Sequence, residues 1–218
     1  MDRSSKNRLN HRMLQHFPGE TLFDRITRAV CRAGCLPRKE LYEAWEVARR
    51  VHRRFGGGRV VDLACGHGLL AQIMLILDRD LSGGVAVDLR IPANAPRLAA
   101  EINAEWPALS KRLSFLQQDL TEVPLSPGDI VVSAHACGSL TDLVLQRAVA
   151  ARCRVAVLPC CHNLDGGDLG GVQGWLDGPL AMDVTRAAWV RSQGYRVYTQ
   201  SIPGDITPKN RLLMAEPL

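Results

Sequence analysis

The apolar positions in the first quarter of the chain recur at helical spacing. Residues 21–34 place them on one helix face, and Thr21 followed by Asp24 is typical of a capping box at the helix start. A second helix is predicted over residues 37–55, and a run of three glycines then ends it. Residues 1–57 are therefore predicted to form a helical extension in front of a different pattern.

From residue 58 onward, short apolar runs alternate with helical stretches. The runs contain many β-branched residues but lack a period of two, which is typical of parallel strands covered on both faces. The predicted strands are 60–63, 84–88, 113–116, 130–133 and 154–158. The predicted helices are 68–77, 96–105, 139–151 and 183–193.

The last two apolar runs, 195–202 and 211–215, are joined by only eight residues. Because eight residues cannot hold a helical crossover, these two strands are predicted to be antiparallel. The pattern as a whole predicts an α/β fold in which a parallel sheet ends in an antiparallel hairpin. Residues 58–218 are predicted to form this domain.

The composition is that of a globular chain, with 46% hydrophobic and 22% charged residues. No apolar run approaches the roughly 18 residues of a membrane span, and the polar N-terminus lacks the apolar core of a signal peptide. Seven scattered cysteines are a poor disulfide framework and favour reduced thiols. We therefore expect a cytoplasmic protein without membrane association.

Positive charge is concentrated in the predicted extension. Residues 1–58 contain 13 Lys and Arg against 6 Asp and Glu, whereas the rest of the chain contains 14 against 16. Such asymmetry suggests a face that meets a polyanion such as RNA, although a solvated helix surface would give the same composition. The candidates for phosphate contacts on the second helix are Arg49, Arg50, Arg53 and Arg54.

The strongest chemical signal follows the first predicted strand, which ends at Asp62. A turn containing Gly66 and Gly68 comes next, and a helix begins directly after it. Glycine lacks a Cβ, so the backbone of such a turn can approach a ligand closely, and the helix start offers free N–H groups. One such turn would be weak evidence for a ligand site.

Two further predicted strands also end in acidic residues. Asp88 is suited to a ribose diol, and Asp119 to an adenine amino group. Because the carboxyl ends of parallel strands meet at one edge of a sheet, the three acids predict a nucleoside cofactor there. The glycine spacing also fits a nicotinamide cofactor, but Asp62 would repel its pyrophosphate. S-adenosylmethionine, whose ammonium and sulfonium groups favour a nearby acid, fits better.

Residues 58–218 resemble the class I S-adenosylmethionine-dependent methyltransferases. Residues 62–68 resemble their motif I, with Ala64 in place of the usual first glycine. The resemblance implies a Rossmann-like seven-stranded sheet with an antiparallel last strand, and S-adenosyl-L-methionine as the cofactor. It further implies that the cofactor is bound by Asp62, Ala64, Cys65, Gly66, His67, Gly68, Asp88, Asp119, Leu120 and Ser133.

A narrower resemblance rests on residues 133–138, 159–162 and 207–210. These segments are similar to the branch that includes eukaryotic acceptor-stem tRNA 2′-O-methyltransferases and related methyltransferase-like proteins. Together with the charge asymmetry, this favours a role in RNA modification, with RNA held by the basic N-terminal helices. The alternatives are a small-molecule or protein methyltransferase and a non-catalytic cofactor-binding module that holds RNA.

The candidates for catalysis follow the fourth and fifth predicted strands. His135 could act as a general base, pack against the cofactor or be structural. Cys160, Cys161 and His162 could line the substrate pocket, supply a nucleophilic thiol for pyrimidine C5-methylation or bind a metal ion. A metal is the least favoured of these, because adjacent cysteines on an extended strand point in opposite directions. No metal is therefore predicted.

Overall fold

The computed structural model describes residues 2–218 of the chain. Its strands are β1 (Gly58–Leu63), β2 (Leu81–Asp88), β3 (Leu113–Gln117), β4 (Ile130–Ser133), β5 (Arg154–Val157), β6 (Tyr195–Ser201) and β7 (Arg211–Pro217). Its α-helices are α1 (Leu22–Ala33), α2 (Arg38–Arg54), α3 (Leu69–Leu77), α4 (Ala95–Glu105), α5 (Ser139–Ala150) and α6 (Gly178–Ser192). Short 3₁₀ helices lie at His11–His16, Pro107–Lys111 and Leu120–Glu122.

The seven strands form one sheet in the order β3-β2-β1-β4-β5-β7-β6. Strands β1 to β5 are parallel, whereas β7 runs antiparallel between β5 and β6. The predicted α/β class and the antiparallel end of the sheet are confirmed. This is the sheet of the class I methyltransferase fold.

Both faces of the sheet are covered, as the continuous apolar runs predict. Successive residues of β1 enter opposite cores: Val60 packs with the helices on one face and Val61 with those on the other. The first core contains residues of α2 and α3, and the second contains residues of α5. Among residues 2–218, no helix has the length and apolar character needed to cross a membrane.

The N-terminal helices are part of the domain core. Leu9, Val30 and Val51 are fully buried and belong to the same apolar cluster as Val60 and Met74. Helix α1 packs on α4, and α2 packs on α3. The predicted boundary after residue 57 therefore does not separate two hydrophobic cores.

The predicted helix starts lie within one residue of the observed ones except at α6. At α1, the Thr21 hydroxyl accepts the Asp24 backbone N–H at 3.1 Å, which confirms Thr21 as the helix cap. The Asp24 carboxylate accepts the Thr21 hydroxyl at 2.7 Å rather than the backbone N–H that a full capping box would use. Helix α6 begins at Gly178 rather than at 183, because Asp177 caps it by accepting the Leu180 N–H at 3.0 Å.

Candidate active site

A cavity of about 220 Å³ opens at the carboxyl ends of β1 and β4. The turn after β1 forms one wall, and the start of α2 forms the opposite wall. The lining residues are Leu36, Glu40, Ala44, Asp62, Ala64, Cys65, Gly66, His67, Leu69, Leu70, Ala134 and His135. The cavity therefore brings the predicted motif together with a helix that sequence analysis did not connect to it.

The turn between β1 and α3 has an unusual backbone. Ala64, Gly66 and Gly68 all have positive φ, at 56°, 53° and 68°. A Cβ on Gly66 would meet open space, whereas one on Gly68 would lie 2.5 Å from the ring of Phe115. Gly66 thus leaves room at the cavity wall, and Gly68 allows close packing of the helix start on the sheet.

Asp62 is a buried acid at the cavity wall, with only 1% of its surface exposed. Its carboxylate accepts the backbone N–H of Ala71 at 3.2 Å. Burial raises the pKa of Asp62 to about 7, and the negative charge of Asp88 contributes to the rise. A buried carboxylate with so little hydrogen bonding would be stabilised by a cation in the cavity.

The other two acids lie at the same edge of the sheet. Asp88 accepts the N–H of Gly66 at 2.9 Å and that of Arg90 at 3.1 Å, so it fixes the turn while remaining partly exposed. Asp119 is exposed at the end of β3, next to the buried Leu120. Hydrogen bonds from the backbone and hydroxyl of Thr121 lower the pKa of Asp119.

The remaining predicted cofactor residues surround this turn. Cys65 is buried in the cavity wall, where burial raises the pKa of its thiol. The His67 ring is 2.8 Å from the Asn94 side-chain oxygen, which ties the turn to the start of α4. The buried Ser133 hydroxyl at the end of β4 has no hydrogen-bond partner within residues 2–218.

These features fit S-adenosylmethionine. The buried carboxylate of Asp62, which lines the cavity, can meet a positive charge, and the space over Gly66 admits a ligand. Asp88 and Asp119 lie along the same edge, on β2 and directly after β3, in the order expected for ribose and adenine.

The wall formed by α2 carries the one acid of the site that sequence analysis missed. Glu40 lines the cavity together with His135. Burial lowers the pKa of His135, and the negative charge of Glu40 partly opposes that effect. The sequence contains no motif around Glu40, and only the packing of α2 on α3 brings it to the site.

The sulfur atoms of three cysteines lie closer together than the sequence predicts. The Sγ atoms of Cys137, Cys160 and Cys161 all lie within 4.8 Å of one another, and those of Cys137 and Cys160 are 2.9 Å apart. The expectation that adjacent cysteines would point apart is wrong, because β5 ends at Val157 and both residues lie in the loop beyond it. A hydrogen bond from Cys137 lowers the pKa of Cys161, whereas burial raises that of Cys160.

His162 points into an ion network. Its Nε2 is 2.8 Å from the carboxylate of Asp183, which also accepts a hydrogen bond from Arg211 at 2.7 Å. The His162 side chain is only 2% exposed, and its Nδ1 has no partner in the described chain. This arrangement favours a role in anchoring the loop after β5 over a role in proton transfer.

Three of the four arginines predicted to contact phosphates form ion pairs within the chain, and one of them is Arg49, which pairs with Glu46 at 3.4 Å. Arg50 pairs with Glu46 and also donates to the carbonyl of Ser201. Arg54 stacks on Tyr198, 3.5 Å from the ring centroid, and pairs with Glu216 at 3.1 Å. Both side chains fasten α2 to the end of the sheet, so the predicted outer face is not a free basic patch.

The comparisons with known proteins agree with this geometry. The family model described as "Methyltransferase domain" matches residues 38–164, and the chain belongs to that family. No curated protein matches the sequence. The fold and site thus define a class I methyltransferase domain with S-adenosylmethionine as its cofactor.

Solved structures share the fold at low sequence identity. An O-methyltransferase family protein from Burkholderia thailandensis is 18% identical with a TM-score of 0.55, covering 94% of this chain and 62% of its own. The S-adenosylmethionine-dependent methyltransferase SibL is 20% identical with a TM-score of 0.54, covering 97% and 66%. The M1A22 tRNA methyltransferase TrmK from B. subtilis is 17% identical with a TM-score of 0.52, covering 79% and 65%. The chain thus spans somewhat less than two thirds of the length of each.

Proposed function

We propose that this protein transfers the methyl group of S-adenosylmethionine to RNA. The cavity beside Asp62 and Gly66 holds the cofactor, and the RNA lies across the neighbouring N-terminal segment. The observation that carries the choice of RNA is a set of unpaired cations next to the cavity wall.

These cations belong to the first 12 residues. Lys6, Arg8 and Arg12 are exposed, and within residues 2–218 their side chains make no ion pair or hydrogen bond. Unlike Arg50 and Arg54, they are available to phosphates. Phosphate contacts supply most of the sequence-independent affinity for nucleic acid.

The segment that carries these cations is fixed beside the cavity. Its backbone follows the start of α2, through hydrogen bonds from Leu9 to Leu36 at 2.9 Å and from Lys39 to Ser5 at 3.1 Å. Leu36 itself lines the cavity. A polyanion bound by this segment would therefore pass close to the cofactor.

The chemistry needs alignment more than activation, because the cofactor already supplies an electrophilic methyl group. The protein orients the acceptor in line with the methyl–sulfur bond and excludes water. A base is needed only if the acceptor is protonated, as the ribose hydroxyl implied by the tRNA-branch resemblance would be. His135 suits that role, because its lowered pKa keeps the ring neutral at neutral pH and it lines the cavity.

The names of the structural neighbours are compatible with more than one acceptor. TrmK is a tRNA methyltransferase, whereas the Burkholderia thailandensis protein belongs to an O-methyltransferase family. At these identities the likeness concerns the fold and does not choose the substrate. A small-molecule or protein acceptor is the alternative that the experiment must separate from RNA.

The test measures transfer of labelled methyl from S-adenosylmethionine into total RNA, total protein and a small-molecule extract, each offered separately. We expect label in RNA. A triple variant, Lys6→Glu, Arg8→Glu and Arg12→Glu, should bind RNA more weakly, and its logarithmic salt slope should fall by about two to three units. S-adenosylhomocysteine binding should be unchanged in this variant.

The control for position is Arg191→Glu, a charge reversal at an exposed cation near the end of α6, compared with each of the three single reversals. This residue lies close to the start of β6, at the edge of the sheet opposite the cavity, so RNA binding should be unaffected. Label that enters only protein or small molecules would refute the proposal. Equal salt slopes in the triple variant and the parent would refute the placement of the RNA.

A further inference from the structure

Three thiols meet where the loops after β4 and β5 approach each other. Cys137 comes from the first loop, and Cys160 and Cys161 come from the second. Their Sγ atoms all lie within 4.8 Å of one another. Cys137 and Cys161 are exposed and Cys160 is partly buried, so the cluster is accessible from solvent.

The backbone holds the two loops in this arrangement. The N–H of Leu158 donates to the carbonyl of Ser133 at 2.9 Å, and the N–H of Gly138 donates to that of Cys161 at 3.0 Å. The first bond joins the two chain segments where the strands end, and the second joins the loops at the cluster itself. The thiols are therefore brought together by the fold itself, which lowers the entropy cost of binding one ligand with all three.

All three sulfurs approach one another, so a metal ion could use the whole cluster, whereas a disulfide would use only two of its members. The 2.9 Å between the Cys137 and Cys160 sulfurs exceeds the roughly 2.05 Å of a disulfide. Three thiolates around zinc at about 2.3 Å would stand about 3.8 Å apart in a tetrahedron. Opening the closest pair by about an ångström meets that requirement, because both side chains lie in loops.

Two lysines lie near the cluster. Lys39 and Lys209 both place positive charge near Cys161. Three thiolates and one divalent cation would carry a net charge of minus one, which a nearby lysine can offset. Soft sulfur ligands without carboxylates select zinc over magnesium or calcium.

We propose that Cys137, Cys160 and Cys161 bind one zinc ion, with water in the fourth position. The ion ties the loop that follows His135 to the loop that follows β5, beside the cofactor cavity. Because the cluster is open to solvent, the fourth position can also accept an incoming ligand. The proposal is independent of the identity of the methyl acceptor.

The test uses the full chain purified under reducing conditions and stripped of metal. Zinc is titrated against a chromophoric chelator, and cobalt is added separately as a spectroscopic probe. We expect one zinc per chain and a thiolate-to-cobalt charge-transfer band. Changes to residues around a metal's ligands weaken binding by about ten- to a hundredfold. We expect a larger loss of zinc affinity from each single ligand substitution: Cys137→Ser, Cys160→Ser and Cys161→Ser.

The matched control is Cys153→Ser. This buried cysteine lies away from the cluster and donates to the Ser126 carbonyl at 3.1 Å, a hydrogen bond that serine can keep. It should bind zinc like the parent. S-adenosylhomocysteine binding and circular dichroism identify any serine variant that has failed to fold.

Three results would overturn the proposal. One is a folded, fully reduced chain that binds no zinc at micromolar concentrations. Another is zinc binding that survives all three single substitutions in folded variants. The last is a Cys137–Cys160 disulfide that forms on mild oxidation at the same rate with and without zinc, since bound thiolates should be protected.

Discussion

Replacing Asp62 with asparagine tests the electrostatics of the cavity directly. The pKa of Asp62 is raised from 3.8 to about 7, mainly by burial. The folded state therefore holds this proton more tightly than the unfolded state. Each pKa unit corresponds to about 1.4 kcal/mol, so ionising Asp62 destabilises the fold by up to about 4 kcal/mol above pH 7.

The sign of the pH dependence follows from this shift. The pKa of Asp62 is higher in the folded state than in the unfolded state. Its contribution to the free energy of unfolding is therefore fully present below about pH 4 and is lost as the pH rises through about 7. Asparagine cannot ionise, and its amide oxygen can still accept the Ala71 N–H. We expect Asp62→Asn to match the parent below about pH 4 and to exceed it near pH 8. Urea denaturation at several pH values measures the difference.

Cofactor binding should respond in the opposite direction. A cation in the cavity favours the ionised carboxylate, so the affinity of the parent for S-adenosylhomocysteine should rise with pH as Asp62 ionises. In Asp62→Asn that pH dependence should disappear, and affinity near pH 8 should fall about ten- to a hundredfold, corresponding to about 1.5–3 kcal/mol. Calorimetric titration gives both quantities.

Asp129→Asn provides the contrasting control. Asp129 is also buried, but its carboxylate accepts two hydrogen bonds from Arg59, at 3.0 and 2.7 Å. Removing its charge leaves Arg59 without its partner and should lower stability at pH 8. If Asp62→Asn were also less stable than the parent at pH 8, or kept the same pH dependence, the assignment of a strained buried charge would be wrong.

Three further substitutions test the remaining parts of the site. Asp88→Ala should weaken S-adenosylhomocysteine binding by about ten- to a hundredfold in calorimetry, through the lost ribose bonds and the released Gly66 N–H; unchanged affinity in a folded variant would contradict it. Gly68→Ala should lower the melting temperature more than Gly66→Ala, because both strain the backbone by about 1–2 kcal/mol but only the former meets Phe115. His135→Gln should reduce turnover while leaving cofactor affinity within about twofold, as expected of a base; a parallel loss of both would indicate packing alone.

The sequence determined the elements and their order. Strands β1 to β5 were predictable because continuous apolar runs between helices require a sheet covered on both faces, and the eight-residue connection forced the last two strands to be antiparallel. The turn after Asp62 was predictable because glycine alone tolerates the left-handed backbone at little cost. These are local or periodic properties, which a single sequence records directly.

Tertiary packing decided which distant residues share the site. Glu40 reaches the cavity only because α2 packs on α3, and no local pattern encodes that contact. Arg50 and Arg54 lie on a helix face that the sequence marks as basic, yet contacts with β6 and β7 occupy both. Convergence between residues far apart in the chain depends on how elements pack, and the amino-acid pattern within each element does not specify it.

The cysteine cluster illustrates the same limit at shorter range. The prediction from sequence placed Cys160 and Cys161 after a strand and took the backbone to remain extended through both residues. Because β5 ends at Val157, the loop turns and brings both sulfurs toward Cys137 on the neighbouring strand's loop. The parallel pairing of β4 with β5 sets the two loops side by side, and that pairing exists only in the folded sheet.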